Sequence, residues 1–315
     1  MPSPPLISIV MPCHNGAAHV AKSVLSVLGQ THKNFELIVI DDGSVDDSLK
    51  VLNSFDDERI KVFSQPHSGV SRARNYGISK AVGEYVAFLD SDDTWEASFL
   101  ERMAASLKLN PDAALAYCGW QNLGVEGGRG EPFIPPDYET PEKPALLLME
   151  NRWPIHAALT RSEFIREAEG FDERFVIGED YLLWLRIACF NTITRVSEVL
   201  AYYHHHGGVQ ATKNKMRRAR EVWLVKRTFL KEHSELARKL GRKKVREITH
   251  GSLLELGYVY YWKRDLQVAR SIFRIVMRHG YGSLKDWVYM LPALLPQWLH
   301  NQLILSLSKS DGNNK

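Results

Sequence analysis

Residues 84–93 read Glu-Tyr-Val-Ala-Phe-Leu-Asp-Ser-Asp-Asp. A short apolar and aromatic run predicts a buried strand, and it leads straight into Asp90, Asp92 and Asp93. Carboxylates this close repel one another unless a cation neutralises them. Hard divalent ions, Mg2+ or Mn2+, take oxygen ligands and bridge to phosphates, so the segment reads as a metal and phosphate site. The competing reading is an N-cap, Asp93 or Thr94 ahead of a helix spanning Trp95–Leu109; it accounts for one carboxylate but not three.

Working outward, strand and helix signals alternate. Leu6–Met11 (LISIVM) is a strand that ends in Pro12-Cys13-His14-Asn15, and Phe35–Ile40 (FELIVI) ends in Asp41-Asp42-Gly43-Ser44. Ile60–Phe63 and Ala113–Tyr117 are weaker strands, and helical spacing covers Ala17–Leu28 and Val70–Ala81. Ser44 or Asp46 is placed to cap the helix that follows the second strand. Such alternation predicts an α/β fold, a mainly parallel sheet with helices on both faces, whose ligands bind beyond the carboxyl ends of the strands. The three polar strand ends should therefore converge on one cleft. Asp41-Asp42 in that position suits hydrogen bonds from a base or ribose, although Asp-Gly also marks ordinary turns.

The pattern stops over Gly119–Pro144, a stretch rich in Gly and Pro and long for a connection, which predicts a functional loop or flap. Glu179–Phe190 predicts a helix with Glu179 and Asp180 at its positive end. Thr192–Tyr203 reads as extended and leads into His204, His205 and His206. Beyond Lys213 the signals are helical; residues 251–280 resemble one tetratricopeptide-like helix pair, too little for a repeat array. Trp287–Leu307 is apolar but interrupted by Pro292, Pro296 and polar residues, so it suits an interfacial amphipathic segment better than a membrane span.

The chain has 315 residues, 44% hydrophobic and 24% charged, which excludes a disordered chain. Its three cysteines, without a CxxC pair, argue against a disulfide framework or a structural zinc site and for a reducing compartment. The first residues lack the basic and apolar regions of a signal peptide, so a cytoplasmic location is expected. A formal net charge of +3 hides an asymmetry: residues 213–315 hold 22 basic and 8 acidic residues, and residues 1–212 hold 18 and 29. Two regions are expected at that boundary, the second a basic helical extension for a docking partner or an anionic surface. Nucleic acid is not the expected partner, because the cleft is acidic and no nucleic-acid motif is present.

Taken together, Ser8–Asn15, Gln30-Thr31, Phe35–Ser44, Ala73-Arg74-Asn75-Tyr76-Gly77-Ile78, Gly83-Glu84-Tyr85, Asp90-Ser91-Asp92-Asp93 and Gly178-Glu179-Asp180 with Trp184 resemble the family 2 glycosyltransferases. The resemblance covers residues 6–206 and implies the GT-A fold, a Rossmann-like mixed sheet that binds nucleotide-diphosphate sugars. It implies that Pro12, His14, Asn15, Asp41, Asp42, Arg72, Arg74, Asp90, Ser91 and Asp92 bind the nucleotide sugar; a UDP-sugar is the commonest donor in such families, and GDP and dTDP sugars stay open. Asp92, Asp93 and His206 would hold Mn2+ or Mg2+; His204 stands where the family commonly carries an arginine. Asp180 matches the general base, with Glu179 beside it, and Trp95 and Trp153 would face the acceptor.

The implied reaction is inverting transfer of a single sugar. One base takes the acceptor proton while the metal-neutralised diphosphate leaves from the opposite face. A Gln-x-x-Arg-Trp motif of processive members is absent. Surface-polysaccharide or lipopolysaccharide assembly is the expected setting, with the basic region docked peripherally on the inner face of the cytoplasmic membrane. Two alternatives remain at this point: a non-catalytic nucleotide-sugar scaffold, and a haloacid-dehalogenase-like phosphatase using Asp90 and Asp92. The second conflicts with the position of the motif after the fourth strand signal.

Overall fold

Strand β1 (Ile7–Cys13) is buried along all seven of its residues, as a strand covered on both faces must be. The computed structural model describes residues 4–125, 130–206, 214–302 and 304. The chain divides into two compact units, Met1–Val209 and Gln210–Lys315.

In the first unit β1 pairs in parallel with β2 (Phe35–Asp41) on one flank and with β4 (Tyr85–Phe88) on the other, and β2 pairs in parallel with β3 (Ile60–Ser64). Beyond β4 the sheet turns mixed. β7 (Ala158–Arg161) runs antiparallel to both β4 and β6 (Ala113–Leu123), and β6 runs parallel to β8 (Thr192–His204). The two-residue β5 (Thr94–Trp95) pairs antiparallel with β8, giving the order β3-β2-β1-β4-β7-β6-β8-β5. The strand order reverses at β1, since the chain moves out to β2 and β3 and then returns to β4 on the opposite flank. A crevice opens beyond the carboxyl ends at such a reversal. The polar segments after β1, β2 and β4 all lie at such ends.

Helices α1 (Val20–Leu28), α2 (Ser48–Leu52), α3 (Val70–Lys80), α4 (Phe99–Leu109), α5 (Lys143–Met149), α6 (Ser162–Glu167) and α7 (Glu179–Ala188) complete this unit. The fit of α3 to the sheet matters most for the site. A Cβ on Gly77 would stand 2.4 Å from Val10 Cγ1, so α3 approaches β1 at a distance only glycine permits. Arg74, three residues earlier on the same helix face, is seated at a fixed depth as a result.

Three local expectations give way. Thr94 and Trp95 do not open a helix: they pair with Tyr202 and Ala201 of β8, and α4 begins only at Phe99. Neither Ser44 nor Asp46 caps α2, whose N-cap is Asp47 without a side-chain bond. Asp46 instead accepts hydrogen bonds from Ala17 N and Ser48 N, tying the loop after β2 to the loop after β1. The irregular stretch after Gly119 begins as sheet, because β6 continues to Leu123 alongside β8 and Trp120 exchanges two backbone hydrogen bonds with Phe133.

The second unit is helical in its described residues. α8 (Lys215–Glu232) starts at Asn214, whose side chain accepts from Arg217 N, and α9 (Ser234–Arg246) follows with no buried residue. α10 (Ser252–Trp262) and α11 (Leu266–Arg278) pack around Leu253, Leu254, Ile272 and Phe273, the helix pair that the sequence spacing predicts. α12 (Leu284–Met290) opens with a Ser283–Asp286 capping box and passes into a 3-10 turn at Leu291–Leu294. No described helix is long and apolar enough to cross a membrane. Residues 303 and 305–307 of the apolar stretch noted above lie outside the described residues. All three cysteines are buried and free.

Candidate active site

Arg74 is the buried centre of the cleft, 2% exposed. Its Nη2 donates to Asp90 Oδ1 at 2.7 Å and its Nη1 to Glu179 Oε1 at 2.7 Å, with the guanidinium 5.2 Å from the Phe171 ring centroid. One side chain on α3 thereby joins the end of β4 to the start of α7. Burial opposes the charge on Arg74, and the two carboxylates more than offset it, so the guanidinium holds its proton more firmly than usual. Gly178 makes the α7 start possible: its φ of 81° is left-handed, which favours glycine, and it turns the chain so that Glu179 and Asp180 open the helix together. Burial pushes the Glu179 carboxyl up to about 7; Arg74 pulls against that shift and Asp180 adds to it.

The acidic run separates into three environments. Asp90 goes to Arg74. Asp92 Oδ2 lies 2.9 Å from His206 Nε2, both partly exposed, and the His206 ring stacks on His19 at 4.4 Å. Asp93 turns inward: fully buried, its Oδ1 accepts from His204 N at 2.9 Å and its Oδ2 lies 3.1 Å from Nδ1 of the equally buried His156. Burial, with Asp92 and Asp90 nearby, raises the Asp93 pKa well above the usual carboxylate range, and burial lowers His156 to about 4, so burial works against charge on both groups. Asp93 is therefore a buried strut between the acidic loop and β8 rather than an exposed metal ligand. Thr94 Oγ1, 2.9 Å from His204 Nε2, adds to the same junction.

At the other end of the cleft, Asp42 is buried and its carboxylate accepts from three groups. Gln65 Nε2 (2.6 Å) and Ser68 N (2.9 Å) reach Oδ1 and Gly69 N (2.8 Å) reaches Oδ2, while His67 Nδ1 lies 2.9 Å from Oδ2 and 3.1 Å from the Asp42 backbone O. Burial works against ionisation, but these hydrogen bonds and His67 outweigh it and hold the carboxyl below its ordinary range. His14 Nδ1 lies 2.8 Å from Asp42 O, and the His14 and His67 rings stack at 4.0 Å. His14, Asp42 and His67 form the one three-ligand group found among the described residues. The three hydrogen bonds already on the Asp42 carboxylate, and the stacking of the two rings, suit a hydrogen-bonding platform more than a metal centre. His67 and Gln65 were not singled out by sequence, since a lone histidine after a weak strand carries no distinctive signal.

The remaining expected residues divide. Asn15, at φ 52°, accepts from Val45 N, and Ser91 is half-buried with its Oγ close against Gly16. Pro12 is buried within β1 and Asp41 at the end of β2, where Asp41 Oδ2 accepts from Ser44 N, so these two shape the loops from inside. Arg72 leans outward to Glu173 at 2.8 Å, away from the Arg74 cluster. Trp95 is buried, stacked on Phe99 at 4.2 Å with its Nε1 donating to His156 O. Trp153 is 1% exposed and stacked on Tyr117 at 4.6 Å. Neither tryptophan presents a ring to an acceptor; both are core. Asp180 is half-buried, and its Oδ2 accepts from Asn151 Nδ2 at 2.9 Å, a partner the sequence did not suggest.

Removing the central cation strands two carboxylates. Arg74→Ala is expected to lower the unfolding free energy by about 3–5 kcal/mol, measured by urea denaturation, and Arg74→Lys to recover only part because an ammonium cannot span both carboxylates. Arg72→Ala, at an exposed pair, should change stability by about 0.5 kcal/mol or less. Equal effects at the two positions would contradict this division.

Comparison with known proteins agrees with this geometry. The profile described as "Glycosyl transferase family 2" matches residues 8–150. An uncharacterized glycosyltransferase of Haemophilus influenzae is 31% identical over 242 residues, 72% of this chain and 89% of the relative. The UDP-Glc:alpha-D-GlcNAc-diphosphoundecaprenol beta-1,3-glucosyltransferase WfgD of Escherichia coli is 35% identical over 193 residues, 61% of this chain and 73% of that protein. Among solved structures, the mannosyltransferase PcManGT from Pyrobaculum calidifontis in complex with GDP-Man and Mn2+ aligns with a TM-score of 0.56 at 17% identity, over 100% of this chain and 89% of its own. The fold is accordingly the GT-A fold, and the phosphatase and scaffold alternatives fall away. The chain is a glycosyltransferase and belongs to glycosyl transferase family 2.

Proposed function

We propose that the first unit catalyses inverting transfer of a single sugar from a UDP-sugar to an acceptor hydroxyl, with Asp180 as general base. The observation that carries this reading is the Arg74 bridge, which makes the acidic loop after β4 and the carboxylates opening α7 parts of one cleft. The stacked His14–His67 pair and Asp42 mark the base end of the donor; Asp90, Ser91 and Asp92 mark the ribose and diphosphate end.

A divalent ion fits the diphosphate end. Asp92 and His206 bring an oxygen and a nitrogen ligand together at a partly exposed position, and ions of this class complete their shell with substrate phosphates and water. Bound there, Mn2+ or Mg2+ would neutralise the charge developing on the leaving diphosphate. The protein's own groups do the rest. Arg74 keeps Asp90 in place, Asn151 orients the Asp180 carboxylate, and Asp180 takes the acceptor proton as the hydroxyl attacks from the face opposite the leaving group. The acceptor proposed is a sugar on a lipid-linked carrier in surface-polysaccharide assembly, supported by the diphosphoundecaprenol-linked sugar in the name of the Escherichia coli relative. We assign catalysis to residues 1–212 and acceptor-side docking to residues 213–315.

Two measurements test this. Ligand at about a hundred times its dissociation constant adds about 2.7 kcal/mol of stability, a shift of several degrees in Tm. A UDP-sugar with Mn2+ should give that shift, and Asp92→Ala should remove the metal-dependent part; no shift with any nucleotide would overturn the donor assignment. The second measurement is the pH profile of kcat/KM. Burial raises the Asp180 pKa above its ordinary 3.8 against the opposing pull of Arg74, the Tyr181 amide and Asn151. A base must be deprotonated, so activity rises with pH through that raised value. Asn151→Ala removes a bond that favours the carboxylate and should move the acidic limb to higher pH; an unmoved limb would speak against Asp180 as the base.

A further inference from the structure

The second unit carries an apolar stripe on its outer surface. Leu284, Val288, Leu291 and Leu294 recur at steps of three and four through α12 and the 3-10 turn, Trp298 follows after the extended Leu295, and all five are exposed, Leu284 at 89% and Trp298 at 65%. The opposite side of the same segment is spent on the core, where Met290 and Ala293 are buried against the α10–α11 pair. Among the described residues the stripe stays exposed. It is a second apolar face on an element whose first is already used.

Cations border it. Arg274 Nε donates to Ala293 O at 2.8 Å and Arg270 Nε to Leu295 O at 3.2 Å, so two guanidiniums of α11 are anchored at the backbone that carries Leu294. Lys285 is exposed next to Leu284. The neighbouring acid, Asp286, is turned to its own unit, accepting from Tyr258 Oη and the Ser283 cap.

We propose that this face docks on an anionic lipid surface, with the stripe and Trp298 entering the headgroup boundary and Arg270, Arg274 and Lys285 meeting lipid phosphates. An indole at the border between apolar and charged groups suits that boundary, and so do cations flanking an apolar face. A second copy of the chain fits less well, because a two-fold contact through this patch would set its arginines against one another. We assign docking to the apolar stripe and not to the basic helix α9, which buries nothing. The inference rests on the second unit alone and is independent of the donor and base assigned above.

The test is co-flotation of the full-length protein with vesicles of phosphatidylcholine, with and without phosphatidylglycerol. Binding to the anionic vesicles should be tighter by about tenfold or more. The double variant Leu291→Asp/Trp298→Asp should weaken it by a further tenfold or so, while Arg238→Gln/Lys243→Gln on α9 leaves the stripe-dependent binding in place. Circular dichroism and Tm matching the parent show that the variants are folded; Leu291→Ser/Trp298→Ser serves if the aspartates disturb it. The proposal is overturned if the parent does not float, if the stripe variants float as it does, or if sedimentation shows a dimer that the stripe variants dissociate and that ignores vesicles.

Discussion

A buried cation between two carboxylates from distant parts of the chain is the constraint on which the cleft depends. Arg74 links the end of β4 to the start of α7, through Asp90 and Glu179. Without it, Asp90, Asp92, Glu179 and Asp180 would crowd one crevice with little to offset their repulsion. Taking a guanidinium out of water is costly, and an ion pair of this kind adds less to stability than its short distances suggest. Its effect here is on arrangement: it fixes which carboxylates face each other and at what distance. That arrangement depends in turn on Gly77, whose missing side chain lets α3 sit low enough on β1 for Arg74 to reach both partners.

The acidic loop resolves its own repulsion residue by residue. Asp90 is neutralised by Arg74, Asp92 is met by His206, and Asp93 is buried beside His156, where burial works against its charge. Only the middle one keeps an exposed oxygen ligand in the company of a second ligand. A single ion need not satisfy three carboxylates, and the loop can stand ready for one supplied together with a diphosphate. The Asp93–His204 bond and the pairing of Thr94 with Tyr202 also set the position of His206 just beyond the end of β8. The inward aspartate and the outward histidine are thus two consequences of one strand pairing.

This explains what could be read from the sequence. Strands β1, β2 and β4 are continuous apolar runs because both faces are covered, and their polar ends stand out for the same reason; the sheet and the cleft follow, whereas Arg74 and Asp180 stand out only through the resemblance to the family. What escaped depends on contacts far apart in the chain. Whether Asp93 looks outward or inward is decided by His156 and His204, 63 and 111 positions away, and nothing in the local string reports it. Trp95 and Trp153 are expected at the acceptor, and the stacking of each on a core ring is visible only in three dimensions. Asn151 and His67 are single polar residues without a motif, recognisable only by the carboxylates they touch.

The central claim is that the donor and the base belong to one cleft yet do separate work. It is tested most directly by Asp180→Asn, measuring donor binding in the presence of Mn2+ and sugar transfer on the same preparation. The account predicts donor affinity close to the parent's and a loss of transfer of about a hundredfold or more. Transfer that survives the substitution would remove Asp180 as the base, and loss of donor binding together with transfer would contradict the separation of the two roles.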